Sequence, residues 1–158
     1  MLLNFSGVLC MVSLMLVFTS CEEKETSTDP AGTVTIKMMN CGNGCTQAHL
    51  GGSSSYFVID ADNNFYGDAY SSWQFVSVGE VKRLADVKAI PKSAEWTESV
   101  AVKSGNGYIG KWKKYGDIDG YWAVIDSTYV RIYVTSWIEG SPGNIIGAEI
   151  KHQSPFKL

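Results

Sequence analysis

From Thr33 onward, apolar residues recur at every second position, the period of strands buried on one face. Val34, Ile36 and Met38 alternate with Thr35 and Lys37. Tyr56-Phe57-Val58-Ile59 predicts a second strand, and Phe65-Tyr66-Gly67 a short one pairing back to it. Further strands are predicted from Trp73 to Val78, Thr97 to Lys103, Tyr108 to Lys113, Tyr121 to Ile125 and Tyr129 to Ile138. The last is marked by Ile146, Ala148 and Ile150 alternating with Gly147, Glu149 and Lys151. From Glu80 to Ile90, Val81, Leu84 and Val87 are spaced for a short helix, but Pro91 ends the run before a 3.6-residue stripe develops. That segment is predicted as strand and turn.

The breaks carry turn chemistry. They are Cys41-Gly42-Asn43-Gly44-Cys45, Asp60 to Asn64, Gly116 to Gly120, Asp126-Ser127 and Gly140 to Asn144. Ser104-Gly105-Asn106-Gly107 predicts a hairpin between the strands on either side, because Asn-Gly suits the positive φ angles of a type I′ turn. About 8–10 short strands, with turn signals roughly every ten residues, predict an all-β fold: an antiparallel β-sandwich or barrel-like domain. Strands this closely spaced leave no room for βαβ units.

The first twenty residues differ. They carry no charged side chain, and most of Val8 to Phe18 is apolar. An apolar core of about 11 residues fits a secretory signal and falls short of the roughly 20 that span a bilayer. Phe18-Thr19-Ser20-Cys21 resembles a lipobox, which implies cleavage before Cys21 and lipidation of its thiol and amino group. Each buried CH₂ contributes about 0.8 kcal/mol, so three acyl chains would hold the protein on a membrane effectively permanently. Glu22 and Glu23 resemble the acidic signals that send Bacteroidota lipoproteins to the cell surface. Residues 22–32 hold no large apolar side chain and predict a flexible tether. The expected organisation is a signal peptide over 1–20, a lipidated tether over 21–32 and a single all-β domain over 33–158.

A net charge of -3 argues against a nucleic-acid-binding surface. Of four cysteines, Cys10 would leave with the signal and Cys21 would be lipidated, leaving Cys41 and Cys45. In an oxidising compartment a structural disulfide is the first expectation for that pair. Zinc held with His49 and His152, a redox-active pair and two free thiols are the alternatives.

Ile90-Pro91, Trp96, Val100-Ala101-Val102, Gly105-Asn106-Gly107-Tyr108, Tyr129 to Val134 and Ile145 to Phe156 carry a family resemblance. Together with the lipobox they resemble a group of small all-β surface lipoproteins of gut Bacteroidota, classed as a domain of unknown function. The resemblance implies fold and address and transfers no activity.

Asp60, Asp62 and Asn64 have the odd-position spacing of a calcium loop, but Phe65 and Ser71 stand where its glycine and glutamate belong. An Asx turn is expected there, and equally at Asp117 and Asp119. Gly110-Lys111-Trp112 echoes the lipocalin signature, yet residues 113–158 are too few for the barrel that follows it. No metal and no cofactor is expected. Between Tyr129 and Ile138, Val130, Ile132, Val134 and Ile138 should face the core. Tyr129, Arg131, Tyr133 and Trp137 then share the other face as a candidate ligand platform, unless the rings merely fill gaps between strands. No Gly-x-Ser-x-Gly elbow, His-Glu-x-x-His or phosphate loop occurs, so catalytic residues are not assigned.

The function expected is a lipid-anchored, outer-membrane, surface-facing binding module, not an enzyme, whose partner is a glycan or an envelope protein. A carboxylate-based surface hydrolase and a structural accessory subunit are the alternatives.

Overall fold

The computed structural model describes residues 28–50, 55–67 and 72–158. The predicted signal, Cys21 and most of the tether lie outside the described residues. Among the described residues nine strands form: β1 (Val34–Met39), β2 (Ala48–His49), β3 (Tyr56–Ile59), β4 (Asn64–Gly67), β5 (Ser72–Glu80), β6 (Ser99–Ala101), β7 (Asn106–Ile118), β8 (Tyr121–Ser141) and β9 (Asn144–Phe156). They build a five-stranded sheet in the order β1-β9-β8-β7-β5 and a four-stranded sheet in the order β2-β3-β4-β6. Every pairing is antiparallel. The sheets stay separate, so the sandwich of the two expected architectures is the one found.

The alternation read from the sequence explains the core. Met38, Trp73, Phe75, Tyr108, Val130, Ile132, Val134, Ala148 and Ile150 from the large sheet meet Ala48, Phe57, Ile59 and Phe65 from the small one. Phe57 sits at the centre, 5.8 Å from Phe65 and 5.7 Å from Trp73, while Trp73 stacks on Phe75 at 5.4 Å. Burying such a ring contributes roughly 4–6 kcal/mol before the entropy of ordering it. The Tyr108 ring is fully buried and its hydroxyl works as a clasp. It donates to the Ala101 carbonyl at 3.0 Å and accepts from the Lys103 amide at 2.7 Å. Burial pushes its pKa up to about 12.

The predicted Ser104–Gly107 hairpin does not form between neighbouring strands. β6 pairs with β4 in the small sheet, whereas β7 pairs with β5 and β8 in the large one. The turn therefore carries the chain from one sheet to the other. Only Gly105 there has positive φ, at 80°, so a type I′ geometry is not adopted.

The 80–90 segment is likewise not a strand beyond the end of β5. Val81, Leu84 and Val87 are three residues apart, which matches 3₁₀ geometry, and Leu84–Asp86 forms a 3₁₀ turn. The segment covers the outer face of the large sheet. There Val81, Ile90, Ala94 and Trp96 pack around Val76, Val87 and Ile109 as a second, smaller core.

At the end of the sandwich where β1 finishes, Cys41 and Cys45 are joined in a disulfide. The buried Asn40 holds this loop. Its amide donates to Asn63 Oδ1 at 3.0 Å, and its oxygen accepts from Asn43 Nδ2 at 2.8 Å. At the start of β1, Lys151 pairs with Asp29 at 2.6 Å and the Gln153 amide donates to the Ala31 carbonyl. The chain just before β1 is thus pinned across the outer face of the large sheet.

His152 faces inward, 5 % exposed, with its ring edge-on to Phe57 at 5.8 Å. Its Nδ1 has no hydrogen-bond partner. Burial lowers its pKa below the ordinary value, so the folded protein binds fewer protons than the unfolded chain in mildly acid solution. The stability this contributes is present above about pH 6.5 and is lost as pH falls. Urea unfolding at pH 7 and pH 5.5 should therefore show a larger loss of midpoint for the wild type than for His152→Leu. Equal losses in the two proteins would contradict the buried, neutral imidazole.

Candidate functional site

The longest ladder in the molecule runs past the body that supports it. β5 pairs with β7 as far as Ser72 opposite Lys113. β9 pairs with β8 as far as Phe156 opposite Tyr129. Beyond these points, among the described residues, β7 and β8 have only each other. The ladder continues from Lys114 opposite Asp126 to Ile118 opposite Tyr121. Asp126-Ser127, predicted as a tight turn, is part of this continuous strand. Its two polar residues sit where the ribbon leaves the body and both sides meet water.

Local chemistry closes the ribbon. Asp119 and Gly120 have φ of 53° and 85°, the pair of left-handed residues a two-residue type I′ hairpin needs. The Gly120 amide donates to Asp117 Oδ1 at 2.8 Å. Nearer the base, the register shifts by one residue between Lys114 and Tyr115, leaving Ile125 as a bulge. Ile125 then lies over Gly116, where a Cβ would stand 2.7 Å from its Cδ1. Glycine lets Ile125 lie this close without turning aside.

Strand alternation and the register give the ribbon two faces. Gly116, Ile118, Tyr121, Ala123 and Ile125 share one, and none is charged. Tyr115, Asp117, Trp122 and Val124 share the other. Tyr121 is 78 % exposed and Trp122 80 %. Tyr115, Ile118, Val124 and Ile125 are also exposed. A contiguous apolar surface of this kind marks a contact site, whereas single exposed apolar residues do not. The charge runs along the ribbon: Lys113 and Lys114 at the base, Asp117 and Asp119 at the tip. The Ser72 hydroxyl donates to Tyr115 at 3.0 Å and steadies the base. An open groove of about 560 Å³ lies beside the base, between residues 126–129 and the C-terminal residues 155–158.

The anticipated platform is dispersed. Tyr129 packs into the smaller outer core, 6.3 Å from Trp96. Arg131 is spent internally. Its Nε donates to Gln153 at 2.7 Å, its Nη1 to the Val87 carbonyl at 3.4 Å, and its guanidinium lies 4.8 Å from the Phe156 ring. Tyr133 keeps a half-exposed position on that face. Trp137 does not share it. A bulge between Val134 and Ser136 turns the strand over, and Trp137 packs against the main core, opposite Ala148. Ile138, expected inside, is displaced by the same bulge.

The other candidate groups are accounted for locally. Cys41 and Cys45 bond each other, His49 is exposed on β2 and His152 is in the core. Asp60 Oδ1 accepts from the Asp62 and Asn64 amides at 2.9 and 2.8 Å, which is the Asx turn. Among the described residues no group of three or more metal-ligating side chains comes together.

The ribbon itself was missed, although a signal for it stood in the chain. Tyr121-Trp122-Ala123-Val124-Ile125 is five consecutive apolar residues without alternation, bracketed by Asp119-Gly120 and Asp126. A short unbroken run of that kind describes a strand contacted on both faces.

The family described as Domain of unknown function (DUF5036) matches residues 35–155, and the chain belongs to it. No curated protein and no solved structure matches the chain.

The chain contains five tryptophans, and Trp122 is the only one on the ribbon. Iodide should quench its emission strongly and that of buried Trp73 hardly at all. Trp122→Phe should remove most of the iodide-accessible fluorescence while shifting stability by no more than about 0.5 kcal/mol. Unchanged quenching would show that the ribbon is covered.

Proposed function

We propose that this family member is a non-enzymatic protein-binding module of the outer envelope, that the β7–β8 ribbon is its recognition element, and that Cys21 carries the lipid that anchors it. What supports the anchor is the lipobox-like Phe18-Thr19-Ser20-Cys21 and the resemblance to Bacteroidota surface lipoproteins. What supports the binding role is one observation above all. Tyr121 and Trp122, the two most exposed large apolar side chains among the described residues, are neighbours in one strand and so point to opposite faces.

That arrangement favours a protein ligand over the alternatives. A sugar stacks on rings presented side by side on one face, so a single glycan cannot use both. A bilayer entered tip-first would receive Asp119 ahead of the apolar residues and Asp117 level with Trp122, at about 2.5–3.5 kcal/mol for each charge reaching the centre. A protein that grips the ribbon from both sides, or lies along its edge, uses every exposed ring and leaves the carboxylates in water. Tyrosine and tryptophan are also the side chains that most often dominate protein contacts.

Affinity capture from envelope extracts with the full chain should yield one stoichiometric protein. Tyr121→Ser with Trp122→Ser should reduce that capture at least tenfold, with no signal on a glycan array for either protein. Glycan binding that survives the double substitution would overturn the protein-binding role. Cys21→Ala should release the protein from membranes, and continued partition with membranes would falsify the anchor.

A further inference from the structure

The two edges of the ribbon are not alike, and the difference points to a partner. The free outer edge of β7 begins at Lys114, just past Lys113 opposite Ser72 of β5, and a charged lysine is a common device that blunts strand addition. The outer edge of β8 carries no charge from Tyr121 to Ile125, and its first charged residue is Asp126 at the base. β9 begins to pair with β8 only at Tyr129, so among the described residues this edge has no neighbouring strand. Among the described residues its backbone groups have no ladder partner, and they lie beside the most exposed large apolar side chains. An unprotected apolar edge of this kind is a template for another strand.

We infer that the occupant of this edge is the same edge of a second copy of the chain. Two β8 strands would pair antiparallel about a two-fold axis at Ala123. Directly opposed residues must share a face, which requires positions of equal parity. Centring on Ala123 satisfies this and places Tyr121 opposite Ile125 of the partner, and Trp122 opposite the partner's Val124. Aromatic and β-branched residues are favourable cross-strand pairs. The smallest side chain of the run, Ala123, falls where identical side chains must face each other. The two ribbons become one four-stranded sheet, and rings on both faces gain lateral cover at once.

The same features keep the assembly closed. A two-fold contact consumes both β8 edges, and each remaining outer edge carries Lys114 and Asp117. The bulge at Ile125 ends the ladder before the body, so pairing stays short. A contact of five residues a side falls below the roughly 1,200 Å² of a standard interface, so a weak dimer is expected, with Kd of about 10–500 µM. Asp126, which the acidic tip of the partner approaches, has Lys114 opposite it in its own ladder.

This pairing presupposes that the ribbon is the recognition element. The probe is the full chain with Cys10→Ser and Cys21→Ser, leaving the Cys41–Cys45 disulfide as its only cysteines. Sedimentation equilibrium from 10 to 500 µM should show a monomer–dimer equilibrium. Val124→Lys should weaken it at least tenfold without changing the circular dichroism. Opposed strand residues are about 4.5–5.5 Å apart, within disulfide range. Ala123→Cys should therefore cross-link to itself under mild oxidation, and Lys114→Cys, on the protected edge, should not. A monomer at 500 µM, or equal cross-linking of the two cysteine variants, would overturn the pairing. If a monomeric chain still loses its envelope partner through Tyr121→Ser and Trp122→Ser, the ribbon keeps its role with a different partner. If those substitutions change neither self-association nor capture, both fall.

Discussion

The β7–β8 ladder is longer than the body it is built into, and most of what distinguishes this molecule follows from that mismatch. One half of the ladder, from Gly107 opposite Tyr133 to Lys111 opposite Tyr129, is held by neighbours on both sides. It forms the middle of the large sheet and carries Tyr108, Ile109, Val130 and Ile132 into the two cores. Among the described residues the other half has no flanking strands, and it is stabilised by its own pairing, the Asp119-Gly120 turn and the Ser72–Tyr115 hydrogen bond at its base. An isolated two-stranded ribbon is marginal in water. This one borrows stability from the ladder with which it is continuous.

That division assigns different tasks to the two ends of the sandwich. At one end, the disulfide and the Asn40 hydrogen bonds fix the loop after β1, and Asp60 fixes the neighbouring turn. Polar groups there are satisfied within the chain. At the other end, apolar side chains are left in water on a projecting element. Exposing Tyr121, Trp122 and their neighbours forgoes burial that a packed sheet would give, at about 25 cal/mol per Å². A contact that covers them recovers that stabilisation.

Much of the body was legible in the sequence because its strands alternate. Val130, Ile132 and Val134 on one face, and most of the strands, follow from their apolar patterning, whereas the two-residue β2 was not predicted and the strands expected at Tyr121–Ile125 and Tyr129–Ile138 are one. What was not legible depends on partners remote in sequence. No periodicity reveals that β6 belongs to the small sheet, so Ser104–Gly107 reads as a hairpin when it is a crossing. A bulge at Thr135 adds one residue to β8, which alternation cannot count, and Trp137 is thereby moved from the outer face to the core. The anticipated platform failed for that reason, and because Arg131 finds its partners from the 81–96 segment and from β9. The ribbon was disguised as two strands and a turn, since Asp126-Ser127 has turn composition and ladder geometry.

The central claim is that residues 114–126 stand clear of the body as an ordered ribbon. Amide hydrogen exchange at low-micromolar concentration, where a weak dimer is dissociated, tests it most directly. Opening free energies differ across a structure according to how each segment is supported. The amides of residues 114–126 should exchange far faster than those of 107–113 and 128–134, though more slowly than unstructured peptide. Protection equal to that of the sandwich core would mean that the ribbon is covered in the single chain, and the account would be wrong.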